Sequence, residues 1–216
     1  MDVLLYAHWR SSCSHRVRLA LALKGVAHRL ETVDLLGGAQ RSAEFLSKNP
    51  MGHVPCLVVD GETFTESVAI IELLDDLFPE PRLYPSDARD RARVRAMVET
   101  VASGIQPLQN LRVLQRVSPE RDAQWAWARA FNEHGLGAFE ALMRAHEARG
   151  VGGPFAYGAR PTAADVFLLP QVVSARRFGV DIAAFPRVTR AAEALEATPA
   201  AKAAAPEAQP DAPRTP

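Results

Sequence analysis

The chain has 216 residues, 48% of them hydrophobic, and its 25 lysines and arginines balance 25 aspartates and glutamates. Zero net charge offers no field that would draw nucleic acid or a membrane surface, and no uninterrupted apolar run reaches the ~20 residues a spanning helix needs. The opening MDVLLYAHWRSS lacks the basic start and long apolar run of a secretory leader and reads as a first strand.

Val3–Tyr6 is a short apolar run suited to a buried strand, and Ser14–Lys24 shows helical spacing at Val17, Ala20 and Leu21. Gly25 follows as a left-handed stop. Arg29–Val33 reads as a second strand and Ala39–Leu46 as a short helix. Cys56–Val59 and Glu62–Thr65 flank Asp60-Gly61, the two-residue signal of a tight antiparallel hairpin. A helix from Ser67 to Phe78 follows, with Ile70, Ile71, Leu74 and Leu77 on its apolar side. The order β-α-β-α-β-β-α predicts a mixed sheet with helices packed on it.

At Pro79-Glu80-Pro81, continuing to Pro85-Ser86-Asp87, the composition turns to a linker. Beyond it Arg89–Gln115, Glu120–Ala148, Thr162–Arg176 and Phe185–Ala197 all read as helices. Thr162 and Asp165 stand at capping-box spacing after Pro161, with aspartate in place of the usual Glu or Gln. From Pro199 the chain is rich in alanine and carries five prolines in its last eighteen residues, which predicts an extended surface segment. The expected organisation is an α/β domain over residues 1–80, an all-α domain over 87–198 and a tail over 199–216.

Three segments carry chemistry. A strand feeding a helix through Arg10-Ser11-Ser12-Cys13-Ser14 makes an anion site, because the first N–H groups of a helix lack partners and its dipole adds about half a positive charge there. Serine is also a favoured cap, although three serines around a cysteine exceed what capping requires. Asn49-Pro50-Met51-Gly52-His53-Val54-Pro55 precedes a strand. Pro55 is either an ordinary loop proline or the site of a cis bond that turns the Val54 backbone outward toward a peptide-like ligand. Glu66-Ser67 opens the next helix, where Ser67 caps or the N–H groups behind it bind a carboxylate. The two cysteines, Cys13 and Cys56, have neither metal-ligand nor C-x-x-C spacing, so no metal is expected and both read as free thiols of a reducing cytoplasm. His15 and His53 read as neighbours of the site, and Trp125 and Trp127 as packing.

The succession of an "SSCS" helix, a "VP" strand and an "ES" helix ahead of an all-helical region resembles the glutathione transferases. Within them "RSSCSHRVRLALALKG" closely resembles the signature of the zeta class, the maleylacetoacetate isomerases. "NPMGHVP", "QPLQNL", "PTAADVFLLPQV", "ARRFGVD" and "AQPDAP" resemble the same family, so the likeness covers nearly the whole chain; related maleylpyruvate isomerases share most of these stretches. The resemblance implies a thioredoxin-like first domain that binds glutathione as a cofactor, a helical second domain that meets a small dicarboxylate substrate, and a cytoplasmic homodimer with no nucleic-acid or membrane partner.

Carried over residue by residue, it puts Ser11, Ser12, Cys13 and Ser14 around the sulfur, with Ser11 the thiolate's partner. Val54, followed by Pro55, pairs with the cysteinyl backbone, and Glu66 and Ser67 hold the γ-glutamyl end. Gln106 and Asn110 reach in from the helical domain. Glu66 departs from the glutamine that many zeta sequences have. Arg10, Arg112 and Arg177 hold the substrate's carboxylates; the family pattern favours Arg177 over its neighbour Arg176, and Arg16 and Arg18 are expected on the wet side of their helix. The implied reaction is cis–trans isomerisation by thiolate addition, rotation and elimination, on maleylacetoacetate or maleylpyruvate. Conjugation of α-halo acids, which consumes glutathione, and a non-catalytic binding module are the other readings.

Overall fold

The computed structural model describes residues 1–213; Arg214, Thr215 and Pro216, the end of the expected tail, lie outside the described residues. The residues group into two compact units, the first formed by Met1–Pro81 together with the stretch from Thr198, the second by Arg82–Ala197.

In the first unit a four-stranded sheet has the order β2-β1-β3-β4. β1 (Val3–Ala7) runs parallel to β2 (Arg29–Thr32), with Leu5 opposite Leu30. It is antiparallel to β3 (Cys56–Val59), with Tyr6 opposite Cys56. β3 turns through Asp60-Gly61 into β4 (Glu62–Thr65), as the hairpin signal predicts. Val3, Leu5 and Ala7 alternate inward along β1, and Leu57 of β3 is fully buried. α1 (Ser12–Leu23) and α3 (Ser67–Leu77) pack side by side. The expected helix over 39–46 is instead a 3₁₀ turn at Ala39–Arg41 and then α2 (Ala43–Lys48), because Ser42 adopts extended backbone and caps α2 by accepting from Phe45 N–H. At the end of α1 the buried Lys24 ammonium donates to Asp75 Oδ1 (2.7 Å), Phe78 O (2.7 Å) and Pro81 O (2.9 Å), which ties the ends of α1 and α3 together.

The C-terminal stretch is not the extended segment its composition predicts. Pro199–Ala204 forms α9, which packs on α1, and Pro206–Ala208 is a 3₁₀ turn. Alanine is the best helix former, Pro199 sits at the first helical turn where proline is tolerated, and Thr198 caps by accepting from Ala201 N–H. Ala201, Ala204 and Pro206 are buried.

The second unit is helical: α4 (Ala88–Ala102), α5 (Leu111–Val117), α6 (Arg121–Glu147), α7 (Ala163–Arg177) and α8 (Pro186–Glu196). α7 is its axis, packed by α4 and α8 and buried over most of its length. The single helix expected over 89–115 is broken, with a 3₁₀ turn at Gln106–Gln109 between α4 and α5. Pro107 has no N–H to continue α4, and its ring would clash with the carbonyl four residues back. Among the described residues no helix is long and apolar enough to cross a membrane, and no group of three or more His, Cys, Asp or Glu is arranged to hold a metal ion.

Candidate functional site

β1 ends at Ala7, and a short turn, His8-Trp9-Arg10, delivers the chain to α1. Ser11 is the N-cap of α1, its Oγ accepting from Ser14 N–H at 3.2 Å. Ser11, Ser12 and Cys13 are half-buried and Arg10 is exposed, with the Arg10 guanidinium 5.6 Å from the centre of the Trp9 ring. Ser14 differs from the other three. It is fully buried and its Oγ accepts from His8 N–H at 3.3 Å, so it holds the turn from behind instead of facing a ligand. Cys13 and Cys56 are both free thiols.

The second segment is shaped by Asn49, whose Nδ2 donates to His53 O (2.8 Å) and whose Oδ1 accepts from Met51 N–H (3.0 Å). Gly52 lies at φ +62 with Gln40 O only 2.9 Å from where a Cβ would stand, so only glycine fits there. The Val54–Pro55 bond is cis, and both residues are buried where β3 begins. Glu66, the N-cap of α3, is exposed at φ +66, a left-handed conformation that is costly for a residue with a side chain. That strain sets the start of α3, where Ser67 is its first residue.

Arg16 and Arg18 correct the expectation of a solvated face. Arg16 is 1% exposed, and its Nη1 donates to Ser67 Oγ (3.2 Å) and to Cys13 Sγ (3.6 Å), joining the first turns of α1 and α3. Arg18 is 4% exposed, and burial pushes its pKa down to about 10 against the pull of the Asp211 and Glu207 carboxylates, which leaves it cationic at neutral pH. The signal lay in "SHRVRLAL": α1 is buried over the whole run from Ser14 to Leu21, so arginines on any face of it require partners.

His15 is 2% exposed, and its Nε2 finds no hydrogen-bond partner among the described residues. Burial pushes its pKa down to about 3, with the Arg18 and Arg16 charges acting in the same direction, so the ring is neutral at pH 7 and carries no exchangeable charge into catalysis. Its pKa is near 6.5 in the unfolded chain. The unfolded state therefore binds more protons between those two values, and stability falls as pH drops below about 6.5. At pH 5 the loss from His15 is about 2 kcal/mol relative to pH 8. Asp165, whose pKa burial raises to about 6, acts in the opposite sense, because its extra native stability is present in acid and lost as pH rises through that value. Denaturant unfolding of the parent chain and His15→Phe at both pH values cancels the Asp165 contribution. The parent's stability relative to the variant is expected to fall by about 2 kcal/mol from pH 8 to 5; a constant difference would contradict a buried neutral ring.

In the helical unit the Gln106–Gln109 turn is held from two helices. Trp127 Nε1 donates to Leu108 O at 3.0 Å. The buried Gln109 Oε1 accepts from Asn132 Nδ2 (2.6 Å) and Gln171 Nε2 (3.1 Å), and Gln171 Nε2 also reaches Asn132 Oδ1 (2.6 Å). A Cβ on Gly135 would stand 2.2 Å from Ile105 Cγ1, so this glycine lets the chain before the turn close on α6. Gln106 is half-buried, and Asn110 caps α5 by accepting from Arg112 N–H at 3.2 Å. Arg112 is exposed. At the end of α7, Arg176 is paired with Glu196, whereas Arg177 is exposed with its guanidinium 4.8 Å from the centre of the Phe178 ring. Sequence reasoning missed the Gln109–Asn132–Gln171 network, whose members lie 23, 39 and 62 residues apart.

Residues 10–77 match the family model described as the glutathione S-transferase N-terminal domain. The chain is 43% identical over 212 residues to the maleylacetoacetate isomerase of Rattus norvegicus, covering 97% of this chain and 95% of the relative. It belongs to the maleylacetoacetate isomerase family. That family is a zeta-class branch of the glutathione transferases in structure too. A holo maleyl pyruvate isomerase of the zeta class superposes with a TM-score of 0.93 at 38% identity, over 97% of this chain and 100% of that one. The maleylacetoacetate isomerase of Anaeromyxobacter dehalogenans 2CP-1, with dicarboxyethyl glutathione and citrate in its active site, superposes with a TM-score of 0.85 at 43% identity, over 99% and 98% of the two chains.

Proposed function

We propose that this family member is a glutathione-dependent cis–trans isomerase that converts maleylacetoacetate to fumarylacetoacetate, acting as a cytoplasmic homodimer. The observation that carries the reading is the joining of two helix N-termini by Arg16, with Ser11–Cys13 at the start of α1 and Ser67 at the start of α3. Two neighbouring sites of partial positive charge fit a ligand with a thiolate at one place and a carboxylate at another. Glutathione is such a ligand, and the bound dicarboxyethyl glutathione of the Anaeromyxobacter relative supports the fit. The chemistry that glutathione supplies when bound is a thiol for reversible addition to the cis double bond.

The chain's own residues supply the rest. A free thiol has a pKa of about 8.5; the Ser11 hydroxyl and the α1 amides favour its ionised form. Val54 pairs with the cysteinyl backbone, Glu66 accepts the ligand's ammonium, and the amide at Ser67 holds its carboxylate. Ser12 and Cys13 line the sulfur, while Ser14 fixes the turn behind it. Gln106 and Asn110 are assigned to glutathione, and Arg10, Arg112 and Arg177 to substrate carboxylates. Planar guanidinium groups grip carboxylates two-pronged and stabilise the negative charge that develops on the substrate's carbonyl oxygen.

Maleylpyruvate is the second reading, favoured by the superposition on the zeta-class maleyl pyruvate isomerase. Purified protein given each maleyl substrate is expected to isomerise it only with glutathione present and to leave the glutathione concentration unchanged. Full turnover in thiol-free buffer would overturn the mechanism. One-for-one consumption of glutathione with halide release from an α-halo acid, and no isomerisation, would make the chain a conjugating transferase.

A further inference from the structure

The C-terminal stretch returns to the turn that carries Arg10 and Ser11. His8 and Trp9 lie outside any strand or helix, so their backbone polar groups need partners beyond the local Ser11 N–H, which donates to His8 C=O at 3.1 Å. Side chains provide one for each. His8 N–H donates to Ser14 Oγ at 3.3 Å, and His8 C=O accepts from Arg18 Nη1 at 3.3 Å. Trp9 N–H donates to Asp211 Oδ2 at 3.0 Å, and Trp9 C=O accepts from Arg18 Nη2 at 3.0 Å. Arg18 Nε also donates to Ala204 O at 3.1 Å, so a single guanidinium grips both carbonyls of the turn and the end of α9. Asp211 stands 202 residues further along the chain from Trp9. The bend that brings it back is fixed by Gln209 Nε2, which donates to Ala203 O (3.0 Å) and Ala205 O (2.9 Å). The same Asp211 oxygen lies 3.6 Å from His8 Nδ1, which is 3.1 Å from Val33 O. Both neighbours can only accept, so the His8 proton resides on Nδ1.

We infer that Asp211 and Arg18 are positioning residues for the reaction, holding the His8–Trp9 backbone so that Arg10 and the Ser11 hydroxyl keep their places at the start of α1. The C-terminal stretch is thereby part of the machinery, although it touches no reacting atom. Arg10 lies over the Trp9 ring, so a shift of Trp9 carries Arg10 with it, and Ser11 is two residues further on. Small displacements matter here, since a misplacement of about 1 Å can cost on the order of a hundredfold in rate. What Ser11 and Arg10 act on rests on the proposed function; the hold on the turn does not.

Asp211→Ala removes the acceptor from Trp9 N–H, a hydrogen bond to a charged group, and is expected to lower kcat/KM roughly tenfold. The loss falls in kcat, with KM for glutathione little changed. Two readouts do not depend on turnover. Hydrogen exchange of the peptide spanning His8–Ser12 is expected to quicken in the free protein. In the glutathione complex, the thiolate absorbance titration is expected to shift toward higher pH, in the direction of Ser11→Ala, which sets the full scale. Asp211→Asn keeps an acceptor oxygen and is expected to restore most of the loss. Arg18→Lys keeps the charge without the three-way fork and should move all readouts in the same direction as Asp211→Ala. Unchanged kcat, thiol titration and exchange in Asp211→Ala would overturn the inference even if its melting temperature fell. If the parent fails to isomerise while exchange and thiol titration still respond, the function falls and the positioning role stands.

Discussion

Arg177→Ala is expected to lower kcat/KM for the maleyl substrate by roughly tenfold to a hundredfold while leaving the melting temperature and glutathione affinity nearly unchanged. A charge-assisted hydrogen bond is worth about 1.5–3 kcal/mol, and each 1.4 kcal/mol is a factor of about ten. Arg177 is exposed at the end of α7, so its removal opens no cavity. Glutathione is assigned mainly to the first unit, by Val54, Glu66 and Ser67. Arg10→Ala and Arg112→Ala should behave alike, since both are exposed. Arg177→Lys should recover only part of the loss, because a point charge cannot reproduce a two-pronged grip. Arg176→Ala is the control, since no substrate contact is assigned to it. Kinetics with a damaging Arg176→Ala and a silent Arg177→Ala would reverse the assignment of the two arginines. If neither change mattered, the substrate would not be a dicarboxylate and the transferase reading would gain.

The parts of the fold that were legible in the sequence are those written in near neighbours. Asp60-Gly61 specifies its hairpin through the backbone conformations that two residues allow, and Gly25 stops α1 with φ +63. The Thr162–Asp165 box forms as spaced. What failed depended on partners far along the chain. The periodicity of residues 89–115 suits one helix, and Pro107 alone did not outweigh it; the turn it begins is completed by Trp127, Asn132 and Gln171. Proline density made 199–216 look extended, yet alanines at 201 and 204 bury against the unit that α1 belongs to. Arg16 and Arg18 look like solvent-facing charges until Ser67 and Ala204, 51 and 186 residues away, supply their acceptors. Within the candidate site, the placement of Ser11 to Cys13 at the start of α1 could be read from residue types and helix position. The support beneath it, from Ser14, Arg18 and Asp211, could not.

The largest loss of stability is expected from Asp165→Ala. Asp165 is 1% exposed at the start of α7. One carboxylate oxygen accepts from Ala156 N–H at 2.6 Å, and the other from Thr162 N–H at 2.8 Å and Thr162 Oγ1 at 3.0 Å. The residue therefore caps α7 and fastens the incoming loop to it in one step. Alanine would strand two buried backbone donors, each costing about 1–3 kcal/mol, whereas the Thr162 hydroxyl can rotate to another partner. The sum is about 2–6 kcal/mol out of the roughly 5–15 kcal/mol that holds a typical domain together. For a chain of this length it corresponds to a fall in melting temperature on the order of 10 °C. Asp165→Asn keeps one acceptor but turns an NH₂ group toward a donor, so its loss should be intermediate. Asp165→Glu, the residue usual in a capping box, should not restore the parent's stability, because its extra methylene must be fitted between Ala156 and Thr162 in a fully packed site. Calorimetry on the three variants separates these outcomes. A loss below about 1 kcal/mol for Asp165→Ala would mean that the N–H groups of Ala156 and Thr162 readily find other acceptors and that the start of α7 does not depend on this carboxylate.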